Sequence, residues 1–196
     1  MKTGRILLLI FTCYLTSCGP STKIEKTWAD PSFTKGSVNF HKVLVIAQMP
    51  DESTRRIAED KMVAQIKTAT AVQSYTYLQP SDTVRGVVDD KLKKDSFDGL
   101  VVMRLSNVDK STSYVPGTTY GGWYGRYGYY GGYGSSGYYQ EDKTYYVETS
   151  FYSLEQNKLL WSATTSSLNP SKLDKTMDGV ISTLKEELVR QGLVKP

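Results

Sequence analysis

The stretch Val43-Leu44-Val45-Ile46-Ala47 decides the fold class: five consecutive apolar residues, mostly β-branched, bounded by Lys42 on one side and by Met49-Pro50-Asp51 on the other. So short a run without polar alternation predicts a strand buried on both faces, and such strands belong to parallel sheets covered by helices. From Asp51 to Ala69 the apolar residues Ala58, Met62, Val63, Ile66 and Ala69 recur at spacings of three and four. Arg55, Arg56, Glu59, Asp60, Lys61 and Lys67 fall elsewhere on the turn, so the segment predicts an amphipathic helix lying on the sheet. Ala71 to Leu78 reads as a second strand, with Val72, Ser74, Thr76 and Leu78 on one face and Tyr75 and Tyr77 on the other. Pro80-Ser81-Asp82 then starts a second helix striped by Val84, Val87, Val88 and Leu92 and ending near Ser96. Asp98-Gly99 leads into Leu100-Val101-Val102-Met103-Arg104-Leu105, a third buried strand running toward Val108.

After an insertion, Lys143 to Leu154 and Lys158 to Leu168 form an antiparallel hairpin around Glu155-Gln156-Asn157. Leu173, Met177, Val180, Ile181, Leu184 and Leu188 step by three and four along a last helix, with Ser171 and Asp174 placed to cap its start and Gly192 to end it. The chain is therefore an α/β (α+β) protein of order βαβαβ, long loop, ββα: a mixed sheet with helices packed on it and a Gly/Tyr-rich insertion between strands three and four. At 196 residues it holds one domain, expected over 37–196, preceded by a tether over 18–36 and a signal peptide over 1–17. The tether is polar and rich in turn residues apart from Trp28, which is expected to pack on the domain edge.

Lys2 and Arg5 precede an apolar run from Ile6 to Leu15, the size of a signal-peptide core and well short of the roughly 20 residues that span a bilayer. Leu15-Thr16-Ser17-Cys18 follows, and it resembles the lipobox of bacterial lipoproteins. That resemblance implies cleavage between Ser17 and Cys18, a lipidated Cys18, and a protein held to the membrane by several acyl chains. Gly19 stands where an inner-membrane retention signal commonly has Asp, and Ser21-Thr22-Lys23 lacks an acidic export cluster. The implied location is the periplasmic face of the bacterial outer membrane.

The 24 Lys and Arg against 20 Asp and Glu give a formal charge of +4, lowered to +2 once Lys2 and Arg5 leave with the signal. No basic stripe is present, so nucleic acid is not an expected partner. With Cys13 removed and Cys18 acylated, no thiol remains for catalysis, disulfides or metal ligation. His41, the one histidine, is expected at the surface beside the first strand and builds neither a triad nor a metal site. Many serines occur, but no G-x-S-x-G turn accompanies them. The adjacent acids Asp51-Glu52, Glu59-Asp60, Asp89-Asp90, Glu141-Asp142 and Glu186-Glu187 are expected at helix starts or on solvated faces. The expected protein is non-enzymatic, without cofactor or metal; a hydrolase using carboxylates from separate elements is the remote alternative.

Behind its lipobox, this string resembles the outer-membrane lipoproteins of domain-of-unknown-function family 4136. More distantly it is similar to the amino-terminal domain of TolB and to CsgG-like and LpoB-like lipoproteins. The residues carrying the likeness are Lys42-Val43-Leu44-Val45-Ile46, Arg55-Arg56 with Glu59, Asp98-Gly99-Leu100-Val101-Val102, and Ser153-Leu154 with Lys158-Leu159-Leu160-Trp161-Ser162-Ala163. The likeness spans about residues 38 to 193 and implies architecture, not activity. The expected role is a binding or scaffold module for an envelope partner; the CsgG-like resemblance, with the aromatic insertion, implies the alternative of a subunit of an oligomeric membrane or secretion assembly.

Gly117 to Tyr139 holds nine glycines and eight tyrosines with Trp123 and a single charge, Arg126. Three readings of this loop stand open: an insertion without a fixed partner, a binding surface, or a contact with the membrane interface. On the binding reading Tyr120, Trp123, Tyr124, Tyr127, Tyr129, Tyr130 and Tyr133 offer stackable faces to an envelope protein or a cell-wall glycan. Gly132-Tyr133-Gly134-Ser135-Ser136-Gly137 matches G-x-G-x-x-G, but no helix is expected after it to meet a phosphate.

Overall fold

The computed structural model describes residues 22–34, 39–79, 85–115, 138–170 and 173–194. Six strands, β1 (Thr22–Ala29), β2 (Lys42–Gln48), β3 (Thr70–Gln73), β4 (Gly99–Val115), β5 (Tyr138–Ser153) and β6 (Lys158–Leu168), form one mixed sheet in the order β1-β6-β5-β4-β2-β3. The helices are α1 (Glu52–Gln65), the single turn α2 (Ser74–Tyr77), α3 (Arg85–Lys94) and α4 (Leu173–Arg190). β2 lies parallel to both β3 and β4, as the crossover helices require, and β4, β5, β6 and β1 run antiparallel.

Alternation along the strands divides the core in two. Val43, Val45, Ala47, Val101, Met103, Val147, Trp161 and Ala163 point to one face, where Ala58 and Met62 of α1 and Met177, Val180, Ile181, Leu184 and Leu188 of α4 cover them. Leu44 points to the other face and packs with Leu92 of α3 and with Phe97. Two layers of helix around β2 therefore account for its continuous apolar run. Asp51 caps α1 by accepting the Thr54 N–H at 2.9 Å. Gly192, with φ of 71°, ends α4 while Leu193 N–H returns to Leu188 O at 2.9 Å. The α4 cap expected from Ser171 and Asp174, and the α3 start expected at Pro80-Ser81-Asp82, lie outside the described residues or side chains.

The structure departs from the sequence reading in four places. Thr22–Ala29, expected as part of a polar tether, is an edge strand held to β6 in register from Thr22 opposite Ser167 to Ala29 opposite Trp161. Its hydroxyl, lysine and glutamate side chains suit an edge and carry no core signal of their own. The second expected strand stops at Gln73, because Ser74 Oγ and the Tyr75 N–H turn in to the Glu59 carboxylate at 2.7 and 3.2 Å and wind Ser74–Tyr77 into a helical turn. Glu59 itself, expected on a solvated face, is 0% exposed, and Glu187 is also buried. Finally, β4 and β5 run well past Val108 and Lys143: Lys110 opposite Lys143 through Val115 opposite Tyr138 form a two-stranded ribbon beyond the end of β6.

Candidate functional site

Helices α1 and α4 cover one face of the sheet, whereas α3 reaches only the β2 side of the other. The remaining half, over β5, β6 and β1, carries Ser150, Ser162, Thr164 and Ser166 in its interior. These residues lie opposite or beside Glu148, Tyr146, Lys26 and Trp28 on the same face. Ser150, Thr164 and Ser166 are buried beside these longer neighbours, and no helix among the described residues lies over them. Ser166 Oγ donates to Glu25 Oε1 at 2.6 Å, tying the face to the bulge in β1, and this bond holds the Glu25 carboxyl below its usual range. Trp28 stands on the rim of this face, 47% exposed, on the edge strand rather than in a linker.

Where the open half meets α3 the surface falls into a groove of about 590 Å³. Leu100, Val102, Ser150 and Tyr152 lie along it, Asp89 of α3 bounds one side, and Asn157 and Lys158 of the hairpin turn close one end. Arg104 and Glu148 cross between β4 and β5 at 2.6 Å and border the groove as an ion pair. Lys158 is fixed from behind by Asp30 at 3.2 Å and by Ser32 Oγ at 2.7 Å. The Ser32 hydroxyl and N–H, and secondarily Lys158, keep the Asp30 carboxyl below the ordinary carboxylate range. The groove has an apolar floor of Leu100 and Val102 and a polar rim that includes the charged side chains of Asp89, Arg104, Glu148 and Lys158. Among the described residues no group of three or more His, Cys, Asp or Glu could hold a metal ion.

His41 lies at the surface as expected, its Nδ1 3.0 Å from Asp98 Oδ2, while the same carboxylate accepts the His41 and Lys42 N–H groups at 2.7 and 3.0 Å. The arrangement joins the starts of β2 and β4. Glu59 accepts from Ala47 N–H, Arg55 Nε, Ser74 Oγ and Tyr75 N–H, which makes it a tie between α1, β2 and α2.

Several solved structures are similar to this chain, among them the following three. A dodecameric PelC variant from Paraburkholderia phytofirmans is 12% identical with a TM-score of 0.45, covering 83% of this chain and 95% of that one. The PelC dodecamer of the same organism is 13% identical with a TM-score of 0.43, covering 89% and 99%. Lipoprotein GNA1162 from Neisseria meningitidis is 10% identical with a TM-score of 0.42, covering 76% and 99%. At these identities the likeness is one of fold. No protein-family model matches the chain, so the motif likeness to family 4136 has no family match behind it. No curated protein sequence matches it either.

Ser17, Cys18 and the aromatic set Tyr120, Trp123, Tyr124, Tyr127, Tyr129, Tyr130 and Tyr133 lie outside the described residues. So does the G-x-G-x-x-G stretch, and the chain after it enters strand β5 at Tyr138, with no helix N-terminus for a phosphate. Sequence reasoning missed the Arg104–Glu148 pair and the hydroxyl face, since both depend on cross-strand register over tens of residues. The one local signal was the run Thr164-Thr165-Ser166-Ser167, too small and too polar for an ordinary core strand.

Proposed function

We propose that the protein is a non-enzymatic envelope lipoprotein, anchored through Cys18 at the periplasmic face of the bacterial outer membrane, that serves as a subunit of an oligomeric assembly. The observation that carries this reading is the unequal covering of the sheet: one face is roofed by α1 and α4, while over β5, β6 and β1 the other carries no helix among the described residues, its small hydroxyl residues lying beside longer side chains and its rim marked by the exposed Trp28. Such a face, beside β1 at the edge of the described sheet, suits another protein surface better than a small substrate. The groove supports a second reading, a binding module for an envelope protein or a cell-wall glycan, because its apolar floor and Arg104–Glu148 rim fit an extended chain. The tyrosines and Trp123 of segment 117–139 offer further aromatic faces for a partner on either reading.

A photoreactive benzophenone side chain replacing Trp28, in cells, separates these readings. Adducts containing only this chain support the assembly; adducts with another envelope protein or with peptidoglycan support the binding module. Protein that stays monomeric in native membranes and in concentrated detergent solution, with no adduct, overturns both. Intact mass and membrane fractionation beside Cys18→Ala test the anchor. Deletion of 117–139 tests the loop, and unchanged crosslinks in a folded variant would remove it from the binding surface.

A further inference from the structure

The ribbon and the start of β1 share one end of the molecule. Thr22 lies opposite Ser167, Ser167 opposite Tyr145 and Tyr145 opposite Val108, which fixes the β1 start beside the point where β4 and β5 leave the sheet. Asn169, just past β6, marks that point: its side chain accepts the Lys143 N–H at 2.7 Å and donates to Asp142 at 2.6 Å, closing the sheet where β6 ends. From there six residue pairs, Lys110 with Lys143 through Val115 with Tyr138, extend outward. At about 3.4 Å per residue the ribbon reaches about 20 Å past the sheet.

Cys18 and Thr22 are four residue steps apart in the chain, which span at most about 14 Å. A domain tethered that closely cannot hold the bilayer farther from its β1 end than the ribbon reaches. The ribbon's residues grade along its length in the way a headgroup layer sorts side chains. Its shaft carries Lys110, Ser111, Thr112 and Ser113 against Gln140, Glu141, Asp142 and Lys143 on both faces, which excludes the apolar outer face of a membrane-spanning strand. Its end carries Tyr114, Tyr138 and Tyr139, all exposed, Tyr139 to 75%, with the Tyr114 and Tyr139 rings 5.1 Å apart. Exposed tyrosines at the outermost described pairs of a polar shaft suit the zone in which tyrosine concentrates in membranes, with the ring against the acyl boundary and the hydroxyl in water.

We propose that Tyr114, Tyr138 and Tyr139 rest in the headgroup layer of the bilayer that holds the Cys18 acyl chains, so that the protein meets its membrane at two points and stands in a fixed orientation. This rests on the proposed lipidation of Cys18, and the test keeps the two apart. The lipidated full-length protein is reconstituted into phosphatidylethanolamine–phosphatidylglycerol vesicles with a benzophenone side chain replacing Tyr139, Tyr114 or, in the turn at the opposite end of the sheet, Gln156. The expected result is acylated Cys18 by intact mass, phospholipid adducts from positions 139 and 114, and none from 156. Acylated protein with no lipid adduct at 139 and 114, or with equal adducts at 156, overturns the ribbon contact and leaves the anchor standing. An unacylated chain overturns both.

Discussion

Glu59 Oε1 accepts the Ala47 backbone N–H at 3.0 Å, at a point on β2 where β3, paired only as far as Val45 with Gln73, has already ended. A helix carboxylate therefore takes the place of a missing strand, and it also collects Ser74 Oγ at 2.7 Å, Arg55 Nε at 3.2 Å and the Tyr75 N–H at 3.2 Å. Glu59→Ala would leave several buried donors without an acceptor and is expected to destabilise the fold by about 3–5 kcal/mol, with Glu59→Gln costing less because one oxygen remains. Urea titrations of the three proteins check this. A Glu59→Ala midpoint equal to wild type would show that the donors find water instead.

Phe40 lies across Gly99 so closely that a Cβ built there would sit 2.5 Å from its Cδ1 and 2.8 Å from its Cε1. Gly99→Ala is expected to cost about 1–3 kcal/mol through overpacking. The same change in a Phe40→Ala background should cost much less. A double-mutant cycle measures the coupling, and strictly additive effects would place the strain elsewhere.

Thr149 Oγ1 is buried with no hydrogen-bond partner among the described residues, on the helix-covered face of β5 opposite Met103 and Ala163. Valine has the same shape without the unmet hydroxyl, so Thr149→Val is expected to raise stability by about 1 kcal/mol and to raise Tm. A lower Tm would mean that the hydroxyl has a partner in solution.

Burial works to raise the Asp98 pKa, but the His41 and Lys42 N–H groups and the His41 ring outweigh it and hold the carboxyl below its ordinary value. A depressed folded-state pKa gives stability that is fully present above the unfolded value of about 3.9 and is lost as pH falls through the folded one. Asp98→Asn is therefore expected to be less stable than wild type at neutral pH, with the gap narrowing on acidification below about pH 4. Chemical denaturation across that range checks it, and a gap independent of pH would assign the cost to geometry alone.

Much of this architecture was legible because its signals are local. The apolar runs of β2 and of β4 up to Leu105, the stripe of α4 and the turn at Glu155-Gln156-Asn157 each follow from neighbours in sequence. What was not legible depends on distant partners. Thr22–Ala29 has no strand signal until β6 is placed beside it, and Glu59 looks like any solvated helix carboxylate until Ala47 and Ser74 converge on it. The groove has the same character, since Arg104 and Glu148 are 44 residues apart and meet only through the β4–β5 register. The length of the ribbon was hidden for the opposite reason: its polar residues fit a loop as well as they fit a pair of strands exposed on both faces.

The pairing of β1 with β6 also sets an order of events during synthesis. Thr22 leaves the ribosome early, yet its partner Ser167 lies 145 residues downstream, so the first strand waits until nearly the whole chain has been made. Contacts of such long separation form slowly, because the loop-closure entropy is spent before the pairing returns it. Throughout that wait Thr22–Ala29 is a strip of backbone without its β6 partner. Closure of β1 against β6 then completes the six-stranded sheet, so the strand that comes first in the chain is among the last to be secured.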